Sequence, residues 1–283
     1  MPVSQSSSAQ AARMNVARRL RDIRRDAGLT GTELASACGW HHAKTSRIEN
    51  ARTRPSPTDI RLWCRTCSVE DQVDDLIATS LHSESLYTEW RRRARTGLRQ
   101  IQESYKPLYR STKVFRVYTT GLIPGVLQTE GYARALLSSN ARILDVPDDG
   151  AEAAAARVKR SQIIHEAGHR FVLLVEEHVL RFQLGDSDTM AAQLGHLLSA
   201  GALPSVSLGV IPMSTPQRPL WVQETFSVFD DTLVAVELLS AKVNVTQPSE
   251  IALYLQAFEE LHGLAVYGAQ ARALIVRAIE ALD

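Results

Sequence analysis

The sequence predicts an N-terminal all-α bundle joined by a long helix to a C-terminal mixed α/β (α+β) domain. Helix-cap and helix-stop residues recur at short intervals between residues 13 and 67. Apolar residues then step by three and four from 84 to 109. Beyond residue 113, β-rich runs alternate with helical ones. A chain of 283 residues is long enough for two modest cores. The expected organisation is a polar, Ser-rich disordered tail over 1–12, a helical bundle over 13–80, a linker helix over 81–112 and an α/β domain over 113–283.

In the bundle, Met14, Ala17, Leu20 and Ile23–Arg24 mark the inner stripe of a first helix that stops at Gly28. Thr30 and Glu33 have the spacing of a capping box, in which hydroxyl and carboxylate each satisfy the other residue's backbone N–H. That second helix turns Leu34 and Ala35 inward and stops at Gly39. A third spans about His41 to Asn50. A fourth opens at Ser56-Pro57, with Ser as cap and Pro in the first helical position, and carries Ile60, Leu62 and Trp63.

The linker helix over Glu84–Tyr109 sets Tyr87, Trp90, Ala94, Leu98, Ile101 and Tyr105 along one seam. Arg91, Arg92, Arg93, Arg95 and Arg99 form the opposite face, and Pro107 ends the helix. After it come a strand at Val114–Thr119, a turn at Ile123-Pro124-Gly125 and a helix capped by Thr129 and running through Leu137. An Ala-rich helix over about 149–164 and a strand at 171–175 follow. The hairpin FSVFDDTLVAVEL turns at Asp230-Asp231, and helices over about 249–262 and 268–281 finish the chain.

The net charge of +1 conceals an asymmetry. Residues 1–112 hold 19 Lys and Arg against 12 Asp and Glu, whereas residues 113–283 hold 13 against 19. Only the first part is therefore suited to a polyanion. Three cysteines, an odd number, make no full disulfide framework, and the absence of an apolar leader or span points to a cytoplasmic protein without a membrane anchor. Cys64 and Cys67 form a lone C-x-x-C without the second pair a zinc site requires, and Cys38 falls on an inward slot. All three are expected as reduced core residues. No G-x-S-x-G elbow, P-loop or dinucleotide fingerprint occurs, so neither a cofactor nor an enzymatic activity is expected.

Two short helices joined by a Gly-containing turn form a helix-turn-helix pattern. The stretch GLTGTELASACGW–HHAKTSRIENARTRPS resembles the helix-turn-helix of the Xre/phage-repressor family. GLTG, LA, GW and SRIE are together similar to the actinomycete branch of WhiJ-like, antitoxin-like regulators. The resemblance implies that the helix beginning near His41 enters the major groove by its N-terminal end. His42, Ala43, Lys44 and Arg47 would take the groove-facing slots, and Thr45 and Ile48 the inward ones. Arg47 would pair with guanine, while Lys44, Arg52 and Arg54 would contact phosphates. Arg24 and Glu49 match a buried structural ion pair. Three positions depart from the pattern. His41 replaces a Ser or Thr cap, Gly31 replaces a phosphate-clamping Gln, and Ala51 replaces a Gly in a turn of positive φ.

The resemblance extends through GLIPGVLQTEGYARALL, VKRSQII, LVEEHVLRF, MAAQLGHLL and VSLGVIP to the rest of the chain. It implies a homodimer on double-stranded DNA, with half-sites about 34 Å apart. The C-terminal domain would be regulatory, binding a small protein partner or a ligand.

HEAGH, residues 165–169, has the H-E-x-x-H spacing of a zinc peptidase, which gives the alternative function. That chemistry requires one helix to continue through both histidines, so that they share a face with the glutamate beside the metal-bound water. Here Gly168 sits at a helix-stop position and the β-rich FVLLV follows. Neither Val172 nor Val175 supplies the Gly and His of a metzincin continuation. The expectation is therefore a helix end, a turn and a strand, without metal.

Overall fold

The computed structural model describes residues 6–82, 87–221 and 224–282, which divide into two compact units. One comprises the N-terminal residues to Tyr87 together with Asn244–Ile251. The other comprises Thr88–Val243 and Ala252–Asp283.

The first unit is all-α: α1 (Ser6–Asp26), α2 (Gly31–Ala37), α3 (His42–Glu49), α4 (Pro57–Thr66) and α5 (Val73–His82). Residues 6–12, expected in a disordered tail, are helical backbone, and residues 1–5 lie outside the described region. Val16, Ala17, Leu20 and Ile23 are the buried stripe of α1, whereas Met14, expected inward, is half exposed. The stripe meets Leu34, Ile48, Ile60, Trp63 and Leu76, and the Trp63 indole donates to the Leu20 carbonyl at 3.1 Å. Both capping boxes form, Thr30 with Glu33 and Ser56 with Asp59. Cys64 and Cys67 are buried free thiols of this core, their pKa values pushed up to about 11 by burial. Residues 244–251, expected with the C-terminal domain, complete this unit. The Gln247 amide donates to the Thr79 hydroxyl at 3.2 Å, and the Ser249 hydroxyl to the Asp75 carboxylate.

The second unit begins where the long linker helix was expected, and the chain there is broken. β1 (Tyr87–Glu89), α6 (Trp90–Arg93), α7 (Arg99–Ser104) and α8 (Lys106–Ser111) replace it, while Glu84 lies outside the described residues. The apolar periodicity is real, since Ala94, Leu98 and Ile101 are buried. What breaks the helix is Gly97, at φ +105, followed by the Asp149 carboxylate. Asp149 accepts the N–H groups of Leu98 at 2.6 Å and Arg99 at 2.9 Å and so starts a new helix. A Cβ on Gly97 would lie 2.4 Å from Asp149 Oδ2. Gly97→Ala therefore combines left-handed strain with loss of this cap, and is expected to lower stability by about 2 kcal/mol. An unchanged urea midpoint would contradict that account.

The remaining elements are β2 (Val114–Thr119), α9 (Glu130–Leu144), α10 (Gly150–Ser161), β3 (Arg170–Glu176), α11 (Ser187–Ala200), β4 (Val206–Ile211), β5 (Phe226–Phe229), β6 (Leu233–Glu237), β7 (Ala241–Val245), α12 (Pro248–Leu264) and α13 (Gly268–Ile279). The sheet order is β1-β7-β6-β5-β2-β3-β4. β2, β3 and β4 are parallel, with Phe115 opposite Phe171 and Phe171 opposite Val206. β5 runs antiparallel to both β2 and β6, which makes an α+β sheet. The parallel strands have helical crossovers and an almost continuous apolar text, as buried parallel strands do. Phe115 stacks on Phe171 at 4.5 Å in the main core. The Asp230 turn closes the β5–β6 hairpin, and its carboxylate accepts the N–H groups of Lys113 and Val114. Among the described residues no helix is long and apolar enough to cross a membrane.

Candidate nucleic-acid interface and a buried cationic cavity

α3 divides its side chains as a groove-reading helix must. Thr45 and Ile48 are buried, while His42, Ala43, Ser46 and Arg47 are exposed. His41 does the work of the Ser or Thr it replaces, its Nδ1 accepting the Ala43 N–H at 3.1 Å. Gly31 lies beside the His42 ring, and a Cβ there would be 3.4 Å from His42 Nε2, an ordinary contact. The Trp40 indole donates to the Thr45 hydroxyl at 2.9 Å and fixes the approach to the helix. Ala51 adopts φ 54, the left-handed value that its position was expected to require.

Arg47, Arg52 and Arg54 are exposed, and Lys44 is half-buried. Lys44 is held within the domain, its ammonium 2.6 Å from Asp59 Oδ1 and 4.5 Å above the Trp40 ring. Burial raises the Asp59 carboxyl's pKa, but the Lys44 hydrogen bond and the Ser56 backbone and hydroxyl outweigh it and hold the group below its ordinary range. The Arg54 guanidinium donates to the Ser80 carbonyl, which ties the loop before α4 to the end of α5. Lys44 and Arg54, expected as phosphate contacts, thus have structural partners, because carboxylate and carbonyl acceptors lie within their reach. Arg24 and Glu49 form a bidentate pair at 2.6 and 3.0 Å, each side chain 11% exposed. The hydrogen bond to Glu49 raises the Arg24 pKa against the opposing effect of burial, and Arg24 also donates to the Leu29 carbonyl.

HEAGH is not a helix. α10 ends at Ser161, a 3-10 turn covers Gln162–His165, Gly168 takes φ +91, and β3 begins at Arg170. His165 is exposed, and His169 Nδ1 is 2.7 Å from the Thr112 carbonyl. The single helical face that a zinc peptidase needs is not formed. Among the described residues no group of three or more His, Cys, Asp or Glu is placed to hold a metal ion.

In the second unit, a cavity of about 530 Å³ lies over one face of the sheet. Its floor follows the pleat: Val117 and Thr119 of β2, Ser227 and Phe229 of β5, Ala235 and Glu237 of β6. α7 to α10 supply the walls, including Tyr105, Tyr109 and Leu137. Three cations border it, Arg157 and Arg160 of α10 and Lys242 of β7, against one carboxylate, Glu237. Arg160 and Lys242 are 9% and 6% exposed. Arg157 donates to the side-chain carbonyls of Gln102 and Gln128, and Arg160 to the Gln102 carbonyl at 2.9 Å, all neutral acceptors. None of the ion pairs among the described residues includes these three cations. Burial lowers Arg157 to about 10, with Arg160 adding to the effect, and lowers Lys242 to about 8.

Sequence reasoning missed this cavity. The one legible signal is the three-residue spacing of Arg157 and Arg160, which sets both on one face of an Ala-rich helix.

Comparison with known proteins adds two matches. A family described as "Domain of unknown function (DUF5753)" matches residues 104–277, and a helix-turn-helix domain matches residues 15–76. No curated protein and no solved structure matches the chain.

Proposed function

The chain belongs to the family of the domain of unknown function DUF5753, and from the helix-turn-helix module that precedes this domain we propose a sequence-specific DNA-binding transcription regulator. The carrying observation is α3, which buries Thr45 and Ile48 and presents His42, Ala43, Ser46 and Arg47. On this reading the protein is an Xre-type, WhiJ-like and antitoxin-like regulator. It is cytoplasmic and non-enzymatic, and binds a pseudo-palindromic operator as a homodimer. Its C-terminal domain receives a small protein partner or a ligand.

Arg47 reads a base and Arg52 a phosphate, so their substitutions separate. Arg47→Ala should weaken binding to the cognate operator by roughly ten- to a hundredfold and relax preference at one base pair. Arg52→Ala should weaken binding to all sequences alike and reduce the salt dependence by about one phosphate contact. Titrations of operator and scrambled duplexes at several salt concentrations check both. Sequence preference untouched by Arg47→Ala would overturn the groove assignment.

A further inference from the structure

We propose that the cavity of the second unit binds a small amphipathic anion, a carboxylate or phosphate monoester on an apolar body, with its oxyanion held by Arg157, Arg160 and Lys242. This names a ligand class for the receptor role read above and rests on that reading for its regulatory sense, though not for the binding itself.

Buried cations without carboxylate partners are costly, and proteins neutralise them, pair them or fill the site. Here the cluster has one carboxylate, Glu237, for three cations. Gln102 and Gln128 orient the two guanidinium groups through their carbonyls without neutralising them. Arg160 Nε, Tyr105 Oη and Thr119 Oγ1 are buried without a hydrogen-bond partner among the described residues. All three belong to cavity-lining residues: the Arg160 Nε–H is a donor only, and the two hydroxyls can each donate. A guanidinium with a spare N–H beside a second guanidinium is matched to an oxyanion, which accepts several such bonds at once.

The rest of the wall decides what the oxyanion is attached to. Trp90, Leu98, Tyr109, Leu137, Ile143 and Phe229 present aromatic and aliphatic surface. The volume of about 530 Å³ falls within the range of small-molecule sites, well above that of an inorganic ion. An inorganic anion would leave this surface wet, and a neutral lipid would leave the cations unpaired.

Calorimetric titration of the full-length protein, without DNA, tests this with three probes of equal chain length: decanoate, decyl phosphate and decanol. At least one of the two anions should bind at one site per chain, at least tenfold more tightly than decanol. The tighter anion identifies the headgroup as carboxylate or phosphate. Arg160→Gln should weaken the anion at least tenfold. Lys242→Met should do the same while remaining folded, since among the described residues Lys242 contributes the Tyr105 ring contact and no hydrogen bond. Decanol binding as tightly as both anions, or anion binding unchanged in both variants, would overturn the proposal. Because DNA is absent from the titration, its failure leaves the operator reading intact, and failure of operator binding leaves this result intact.

Discussion

Glu49→Ala should destabilise the N-terminal unit by about 3 kcal/mol, the range expected when one partner of a buried ion pair is removed. Glu49 receives both forks of Arg24, and each side chain is 11% exposed. Truncation leaves a guanidinium with the Leu29 carbonyl as its remaining acceptor. Replacing both partners by apolar residues of similar volume, Arg24→Met with Glu49→Leu, should recover most of the loss, because desolvating the pair offsets much of its attraction. Urea unfolding followed by tryptophan fluorescence, to which Trp40 and Trp63 of this unit contribute, and by circular dichroism measures all three variants. A loss below about 1 kcal/mol for Glu49→Ala would show that the pair is a surface tie. A double variant as unstable as the single one would show that geometry, not charge burial, sets the cost. The pair joins α1 to the C-terminal end of α3, so the single variant should also weaken operator binding through loss of folded protein.

Lys242→Met should have the opposite sign. Burial holds the Lys242 ammonium at about 8 against an ordinary 10.5, with Arg93 and Arg160 adding to the effect and Glu237 opposing it. A lysine depressed in the folded state is protonated in both states below about 8, so the whole penalty, on the order of 3 kcal/mol, is present at neutral pH. Between about 8 and 10.5 the unfolded chain holds the proton and the folded one does not. Wild-type stability therefore gains from this residue as pH rises through that window. Methionine has similar length and no charge, and its thioether can lie against the Tyr105 ring, which the ammonium now approaches at 4.4 Å. The variant should be more stable than wild type by about 2 kcal/mol at pH 7, with the gap closing towards pH 10. A gap independent of pH would assign the effect to packing. A variant less stable than wild type at pH 7 would mean that the ammonium is solvated or paired. The same side chain would thus lower stability in the free protein and contribute affinity to an anion, a common trade between stability and function.

The N-terminal unit was legible because its signals are local. Thr30 with Glu33 and Ser56 with Asp59 lie three residues apart, and both boxes form as read. Val114–Thr119 and the Asp230 hairpin were legible for the same reason, since a β-rich run and turn chemistry act over a few residues. The linker was misread because its deciding partner, Asp149, lies some fifty residues from the helix it starts. The resemblance gives Lys44 and Arg54 phosphate roles, and the partners that hold these side chains in the fold are not visible in sequence. Asp59 and Ser80 supply those partners across the fold. HEAGH was resolved by its neighbours: a glycine stop and a β-rich run exclude the continuous helix that zinc chemistry requires.

By itself the sequence determined the helix-turn-helix module, the α+β class of the larger unit and the split between a basic third and an acidic remainder. Caps, periodicity and charge balance are properties of short windows, so they survive without knowledge of distant contacts. Only the tertiary structure decided which cations face outward and which are buried. Arg157 and Arg160 would sit on the solvated face of any isolated Ala-rich helix. They line a cavity because the fold sets α10, packed on α7 and α9, on the same cavity as Val117, Thr119 and Glu237 of the sheet, with Lys242 on the neighbouring strand. Burial of a charge depends on what the fold places over it.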